Sequence, residues 1–155
     1  MTIQTASQEN LELIYNLQRK AYTPALHEDI SLFSDILSQK NAIGYLMDKE
    51  QIMCGYIVGY PTSEDQKDFE SVQQASENSD FMYLHDLCVD PDFQGQGIGA
   101  ALFKAFEKRC GELNMKGIIA TAIDGRLSFW QRLGFEAISE TQYRGVKSTK
   151  IKKLF

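Results

Sequence analysis

Apolar and polar positions change their spacing several times along the chain, and each change predicts an element. Residues 2–5 read as a short first strand. Ser7 suits an N-cap, and the run to Ala21 places Leu13, Ile14, Leu17 and Ala21 on one side of a helix. After Thr23-Pro24, the segment from Glu28 to Ser38 predicts a second helix with Ile30, Phe33 and Leu37 on one face. Two β-rich runs, Ile43 to Met47 and Ile52 to Tyr60, flank Asp48-Lys49-Glu50 and predict a hairpin. A long polar stretch, Pro61 to Asp80, predicts a loop. Phe81 to Val89 reads as a strand and Asp90 to Gly97 as a turn-rich loop. A helix follows from Ile98 to Leu113, with Ile98, Leu102, Ala105, Phe106, Cys110 and Leu113 inward. Gly117 to Ile123 is a buried-type strand, and Arg126 to Leu133 a short helix stopped by Gly134. Two final strands cover about Glu136 to Tyr143 and Ser148 to Leu154. Neither a repeat nor a linker interrupts the order, which predicts one α/β domain over residues 1–155.

A chain of 155 residues with 43% hydrophobic and 11% aromatic positions can bury a core of its own. Its longest apolar stretch, around Gly117 to Ile123, is far short of the roughly 20 residues that a spanning helix needs, so no membrane role is expected. Met1 to Gln8 has neither a basic start nor an apolar segment, which predicts cytoplasmic residence. The net charge of -5 argues against a nucleic-acid partner and leaves cationic partners open. The excess is local: Pro61 to Asp80 holds six acids and one base, and the rest of the chain is balanced. Three cysteines, Cys54, Cys88 and Cys110, form no CxxC pair. With only His27 and His85 beside them no zinc spacing is available, so no metal is expected.

Chemistry concentrates where the fourth strand meets the third helix. Gln94-Gly95-Gln96-Gly97-Ile98-Gly99-Ala100 sets three glycines two apart at a helix start, where free N–H groups and the positive dipole end suit a phosphate. The Walker loop needs a Gly-Lys-Ser/Thr ending. The dinucleotide fingerprint needs a glycine three residues after the second, so neither fits. A dinucleotide-dependent oxidoreductase fails on that spacing.

The wider pattern, from Tyr83-Leu84-His85-Asp86-Leu87-Cys88-Val89-Asp90-Pro91 through Gln94 to Leu102, resembles the acyl-CoA-binding segment of the GNAT N-acetyltransferase superfamily. That signature is Gln/Arg-x-x-Gly-x-Gly/Ala after a strand ending in Leu-x-Val-x-Pro, and Gln94, Gly97 and Gly99 match it. Phe129-Trp130-Gln131-Arg132-Leu133-Gly134-Phe135 is similar to a second family segment near the last helix. The resemblance covers essentially the whole chain. It implies a mixed, mostly antiparallel sheet flanked by helices, whose parallel central strands splay to admit the pantetheine arm of acetyl-CoA. By the same resemblance, backbone groups of Leu87, Cys88 and Val89 pair with that arm. N–H groups from Gln94, Gly95, Gln96, Gly97, Ile98, Gly99 and Ala100 receive the pyrophosphate. Lys104 and Lys108 read as a solvated helix face.

Acyl transfer to an amine needs the neutral nitrogen, and an alkylammonium near pKa 10.4 loses its proton at pH 7 at a cost of about 4 to 5 kcal/mol. A base is therefore expected. His85 is the candidate, with Tyr83, His85 and Leu87 alternating onto one strand face and Leu84, Asp86 and Cys88 onto the other. On that geometry a Cys88–His85 nucleophile pair is rejected, and Asp86, a second base or ammonium anchor by its chemistry, reads as packed or hydrogen-bonded to neighbouring structure. The Leu-His-x-Leu-x-Val arrangement and Ala25 to Ile30 look like the arylalkylamine N-acetyltransferase branch, although Tyr83 stands where that branch has a second histidine. The family's tyrosine acid is Trp130 here, an indole without useful acidity. Either Tyr83 or Tyr143 substitutes, or the thiolate leaves unprotonated. Trp130 itself reads as core or pocket wall. Glu28, Asp29 and the acidic loop are expected on the acceptor side. The expected reaction is direct acetyl transfer to a small-molecule primary amine, arylalkylamine or polyamine-like. A protein lysine or N-terminus, and a non-enzymatic coenzyme A-binding regulator, are the alternatives. The strand Lys150 to Leu154 leaves a homodimer open, with its alternating lysines opposing edge pairing.

Overall fold

The computed structural model describes residues 1–72 and 79–155. One seven-stranded sheet carries the fold, in the order β1-β2-β3-β4-β5-β7-β6. Its strands are β1 (Thr2–Thr5), β2 (Ile43–Lys49), β3 (Ile52–Thr62), β4 (Phe81–Val89), β5 (Gly117–Ile123), β6 (Glu136–Tyr143) and β7 (Val146–Leu154). Among the described residues four α-helices flank it: α1 (Leu11–Ala21), α2 (Ile30–Leu37), α3 (Ile98–Glu112) and α4 (Leu127–Arg132). The sheet is mostly antiparallel. Among the described residues only β4 and β5 pair in parallel, as the crossover through α3 requires.

Two cores lie on opposite faces of the sheet. Ile14, Leu17, Phe33 and Ile36 of α1 and α2 pack with Tyr56, Tyr60 and Tyr83, while Leu102, Phe106 and Trp130 of α3 and α4 pack with Leu84 and Ile118. Ser7 caps as expected, opening a short 3-10 turn that leads into α1. The α1 face is rotated from the expected one: Leu13 is exposed and Gln18 is fully buried. Gln18 is worth burying because both ends of its amide are satisfied by the backbone of Glu28, N–H to Oε1 and Nε2 to carbonyl. Ile30 is likewise turned to solvent, and Ile36 takes the core position beside Phe33.

The long polar segment is not structureless throughout its described part. Phe69 is buried and its ring stacks on Tyr83, centroids 3.9 Å apart. Glu77, one of the six acids of that segment, lies outside the described residues. The strand from Lys150 to Leu154 is not an edge either, since β7 is enclosed between β5 and β6, and β6 is the edge on that side. Among the described residues no helix is long and apolar enough to cross a membrane.

Candidate active site

Strands β4 and β5 pair only from Phe81 with Gly117 to Leu84 with Ala120, and beyond that point they part. The gap between them opens a cleft of about 650 Å³. Its β4 wall can be read from the antiparallel register with β3. Asp90 N–H donates to Cys54 carbonyl at 2.9 Å, which makes that pair, and by alternation the pairs Tyr56 with Cys88 and Val58 with Asp86, the hydrogen-bonded ones. The backbone of Leu87 and Val89 is therefore turned away from β3 and into the gap. Cys88 does not share that orientation, because β3 occupies its N–H and C=O, a correction to the expected trio. Tyr22 hydroxyl reaches the Leu87 carbonyl at 2.9 Å and Gln94 Nε2 donates to the Val89 carbonyl at 3.1 Å.

The loop after β4 is pinned at its start by Asp90, whose carboxylate accepts from Asp92 N–H and from Lys20 Nζ of α1. Gly97 stands at the N-cap of α3 with φ 76°, a left-handed backbone that an L side chain resists, and a Cβ there would meet nothing within 4 Å. Empty space on the solvent side and helix N–H groups on the other give this turn the form of an anion cradle. Gln96 accepts from Lys49 Nζ at 2.6 Å, which brings a cation to the same loop. The positions Gln94 to Ala100 are thus gathered at one mouth of the cleft, with Gln94 committed by its side chain to the strand end.

A bulge shapes the other part of the cleft. On β3 Val58 faces Asp86 and the next residue, Gly59, faces Leu84, so His85 is the extra residue on β4. Strict alternation along β4 puts Asp86 on the face opposite His85. The bulge breaks that alternation and brings both to the α1 and α2 side, while Leu87 moves to the α3 side. Gly59 permits it, since a Cβ there would lie 2.4 Å from the Tyr83 carbonyl and 2.7 Å from the Phe106 ring. Cys88 faces the same side as Asp86, so the expected geometric reason for excluding it does not hold. Burial decides instead, pushing its thiol far up and leaving no thiolate to react.

His85 lines the cleft with only 1% of its side chain exposed, and its Nε2 lies 2.8 Å from Glu28 Oε1. Tyr143, from the end of β6, donates to Glu28 Oε2 at 2.6 Å. His85 Nδ1 is buried without a hydrogen-bond partner among the described residues. Burial alone lowers the imidazole pKa, but the charge of Glu28, its hydrogen bond and the charge of Asp86 outweigh it, and the net shift is upward. For Glu28 burial acts upward, and His85 with Tyr143 overcomes it, so the carboxyl sits below its usual range. A neutral His85 that donates Nε2–H to Glu28 keeps Nδ1 as a lone pair, and a proton taken up there is stabilised by the carboxylate behind it. The arrangement can accept a proton.

Asp86 is half-buried, held by the hydroxyls of Tyr22 and Tyr56. Burial pushes its pKa up to about 6, with His85 and the two phenols opposing. Tyr83 hydroxyl is 3.0 Å from Thr121 Oγ1. Burial, joined at Tyr143 by the Glu28 charge, raises both Tyr83 and Tyr143 far above an ordinary phenol, so each keeps its proton as a hydrogen-bonding hydroxyl rather than a ready acid. Trp130 is the expected wall, its ring edge-on to Phe103, Phe129 and Phe135. Of the acceptor-side acids, Glu28 is in the cleft and Asp29 is exposed ahead of α2. Asp68 and Glu70 line a second cavity of about 330 Å³ that shares Thr121 and Tyr143 with the first. Glu64 is spent on Lys152 and Asp80 on Lys116. Among the described residues no three His, Cys, Asp or Glu side chains gather as a metal site.

A family model described as an acetyltransferase (GNAT) domain matches residues 25–155. An uncharacterized N-acetyltransferase of Methanocaldococcus jannaschii is 43% identical over 56 residues, which are 34% of this chain and 25% of that protein. The chain thus spans about a quarter of that relative's length. Among solved structures, the ribosomal-protein-S18-alanine N-acetyltransferase of Escherichia coli superposes with a TM-score of 0.77 at 15% identity, covering 99% of this chain and 92% of that one. The PaiA N-acetyltransferase of Thermoplasma acidophilum in complex with coenzyme A gives 0.73 at 14% identity, with 100% of both chains covered. At such identities the likeness speaks for the fold.

Proposed function

The chain belongs to the GNAT acetyltransferase family, and on that premise we propose that it is an acetyl-CoA-dependent N-acetyltransferase acting on a primary amine by direct attack within a ternary complex. The observation that carries this reading is the run of Leu87 and Val89 backbone facing an open gap that leads, on one side, to the glycine turn and, on the other, to the Glu28 and His85 pair. The residues fit coenzyme A: an extended arm can add to the free stretch of β4 as a strand would, and the turn from Gln94 to Ala100 suits its pyrophosphate. The thioester supplies an activated acyl group when bound.

The protein supplies the rest. His85 Nδ1 takes the proton of the incoming ammonium, and Glu28 holds the resulting imidazolium. Val89 N–H, turned into the gap, is the donor suited to an oxyanion formed there. Tyr83, fixed by Thr121 at the root of the cleft, contributes a hydrogen-bonding hydroxyl to the reacting region. Glu28 and Asp86 under aromatic walls favour a small cationic acceptor, arylalkylamine or polyamine-like. The likeness to a ribosomal-protein alanine N-acetyltransferase, together with the second cavity that opens beside Tyr143, favours a protein N-terminus as the second reading.

Thiol release from acetyl-CoA, followed with tryptamine, phenethylamine, spermidine, an alanine-first peptide, a lysine peptide and buffer alone, tests the proposal. Turnover on one amine above the buffer rate is expected. Saturable coenzyme A binding with no amine accelerating thiol release would favour a coenzyme A-binding regulator.

A further inference from the structure

Tyr22 follows α1 and carries a hydroxyl with one proton and two acceptors in reach, Asp86 Oδ1 at 2.6 Å and the Leu87 carbonyl at 2.9 Å. Its backbone is fixed on both sides, N–H to the Gln18 carbonyl and carbonyl against His27 Nε2 at 2.7 Å. A phenol donates one hydrogen bond, so both contacts are hydrogen bonds only when Asp86 brings a proton of its own. An ionised Asp86 takes the charge-assisted bond, and the Leu87 oxygen, which faces the gap, is left without a donor. A protonated Asp86 donates to the Tyr22 oxygen, and the Tyr22 proton turns to Leu87.

We propose that Tyr22 is a positioning residue that couples the proton on Asp86 to cofactor binding. With Asp86 ionised the full acceptor capacity of the Leu87 carbonyl is left for an amide N–H of the pantetheine arm, and with Asp86 protonated Tyr22 takes one of its two lone pairs and weakens that bond. The inference rests on reading the gap between β4 and β5 as the coenzyme A site.

Of the groups around Asp86, the phenols and the thiol stay neutral, and His85 is the neighbour whose charge changes with it. Tyr56 from β3 donates to its second oxygen, and that phenol, like Tyr22, is held well above an ordinary tyrosine and stays neutral. Cys88 on β4 and Tyr143 on β6 are also pushed far up. Glu28, lowered, stays ionised as the medium turns mildly acidic, while His85, raised, gains its proton there; that change is common to wild type and Tyr22→Phe, so the difference between the two reads Asp86. Burial brings Asp86 itself to about 6.

The test is calorimetric binding of dephospho-coenzyme A to the full chain at about pH 5 and about pH 8. This ligand lacks the phosphate monoester that would titrate near pH 6. The wild-type dissociation constant is expected to rise by about five- to tenfold at the lower pH, the loss of one hydrogen bond. Tyr22→Phe should bind at the wild-type high-pH level at both values. Asp86→Asn, whose amide donates to Tyr22 at any pH, should bind at the low-pH level at both. A wild-type constant that does not change, or a Tyr22→Phe protein that keeps the wild-type slope, overturns the coupling and leaves the coenzyme A site standing. No binding at either pH overturns the site and the coupling with it.

Discussion

From Leu87 to Ala100 the cleft is built of backbone from one continuous stretch, and its side chains serve mainly to hold that backbone in place, as Gln94 holds Val89 and Lys20 holds Asp90. Around His85 it is built of side chains that arrive from far apart. Glu28 is 57 residues from His85 and 115 from Tyr143, and each is positioned by a different device: the Gln18 clamp, the β4 bulge and the end of β6. A cofactor common to many acceptors can be read by N–H and C=O groups that any residue supplies. A particular amine needs particular side chains, and their geometry depends on the packing of the whole sheet.

That difference can be broken from either side, and the largest effect is expected on the side-chain half. His85→Ala should lower kcat by about 10² to 10⁴, the usual worth of a positioned base, with partial recovery at high pH where the amine loses its own proton. Steady-state rates across pH check it, and an unaffected kcat would remove His85 from proton transfer. Gly59→Ala should cost roughly 3 kcal/mol of stability by forcing the bulge and the Phe106 ring apart, and denaturant unfolding measures it. Its effect on turnover should exceed its effect on coenzyme A affinity if the bulge serves the acceptor half.

On the backbone half Gly97→Ala should cost about 1 to 2 kcal/mol of strain, because the left-handed conformation is the only obstacle. Coenzyme A affinity should fall with it, and an unchanged affinity would place the pyrophosphate elsewhere. Trp130→Phe should change kcat by less than about threefold, since an indole releases no proton and serves as wall. A larger loss in kcat with coenzyme A affinity retained would give the ring a part in the reaction.

The sequence made the two halves unequally legible for the same reason. The strand over Phe81–Val89 and the helix start at Ile98 were readable to the residue, because periodicity and glycines are local signals. The pairing of His85 with Glu28 was not, since no local pattern links a loop residue ahead of α2 to a strand. Strict alternation also misplaced Asp86, because a bulge is a property of two strands and the only hint lay on the other one, at Gly59. Leu13 was misplaced for a related reason. It was expected inside, and the buried place on α1 goes to Gln18, to which the Glu28 backbone gives both of its partners.

The account rests most heavily on Glu28 holding His85 as a strengthened base, and the pH profile of kcat/KM for wild type and Glu28→Gln reads that directly. The neutral imidazole is the active form, so the rate falls on the acid side as His85 protonates, and Glu28 keeps that limb above the ordinary histidine value. Removing the charge leaves burial as the main influence, and the acid limb of Glu28→Gln should move to lower pH. An acid limb that stays in place, or moves up, would contradict the pairing as the source of the site's basicity.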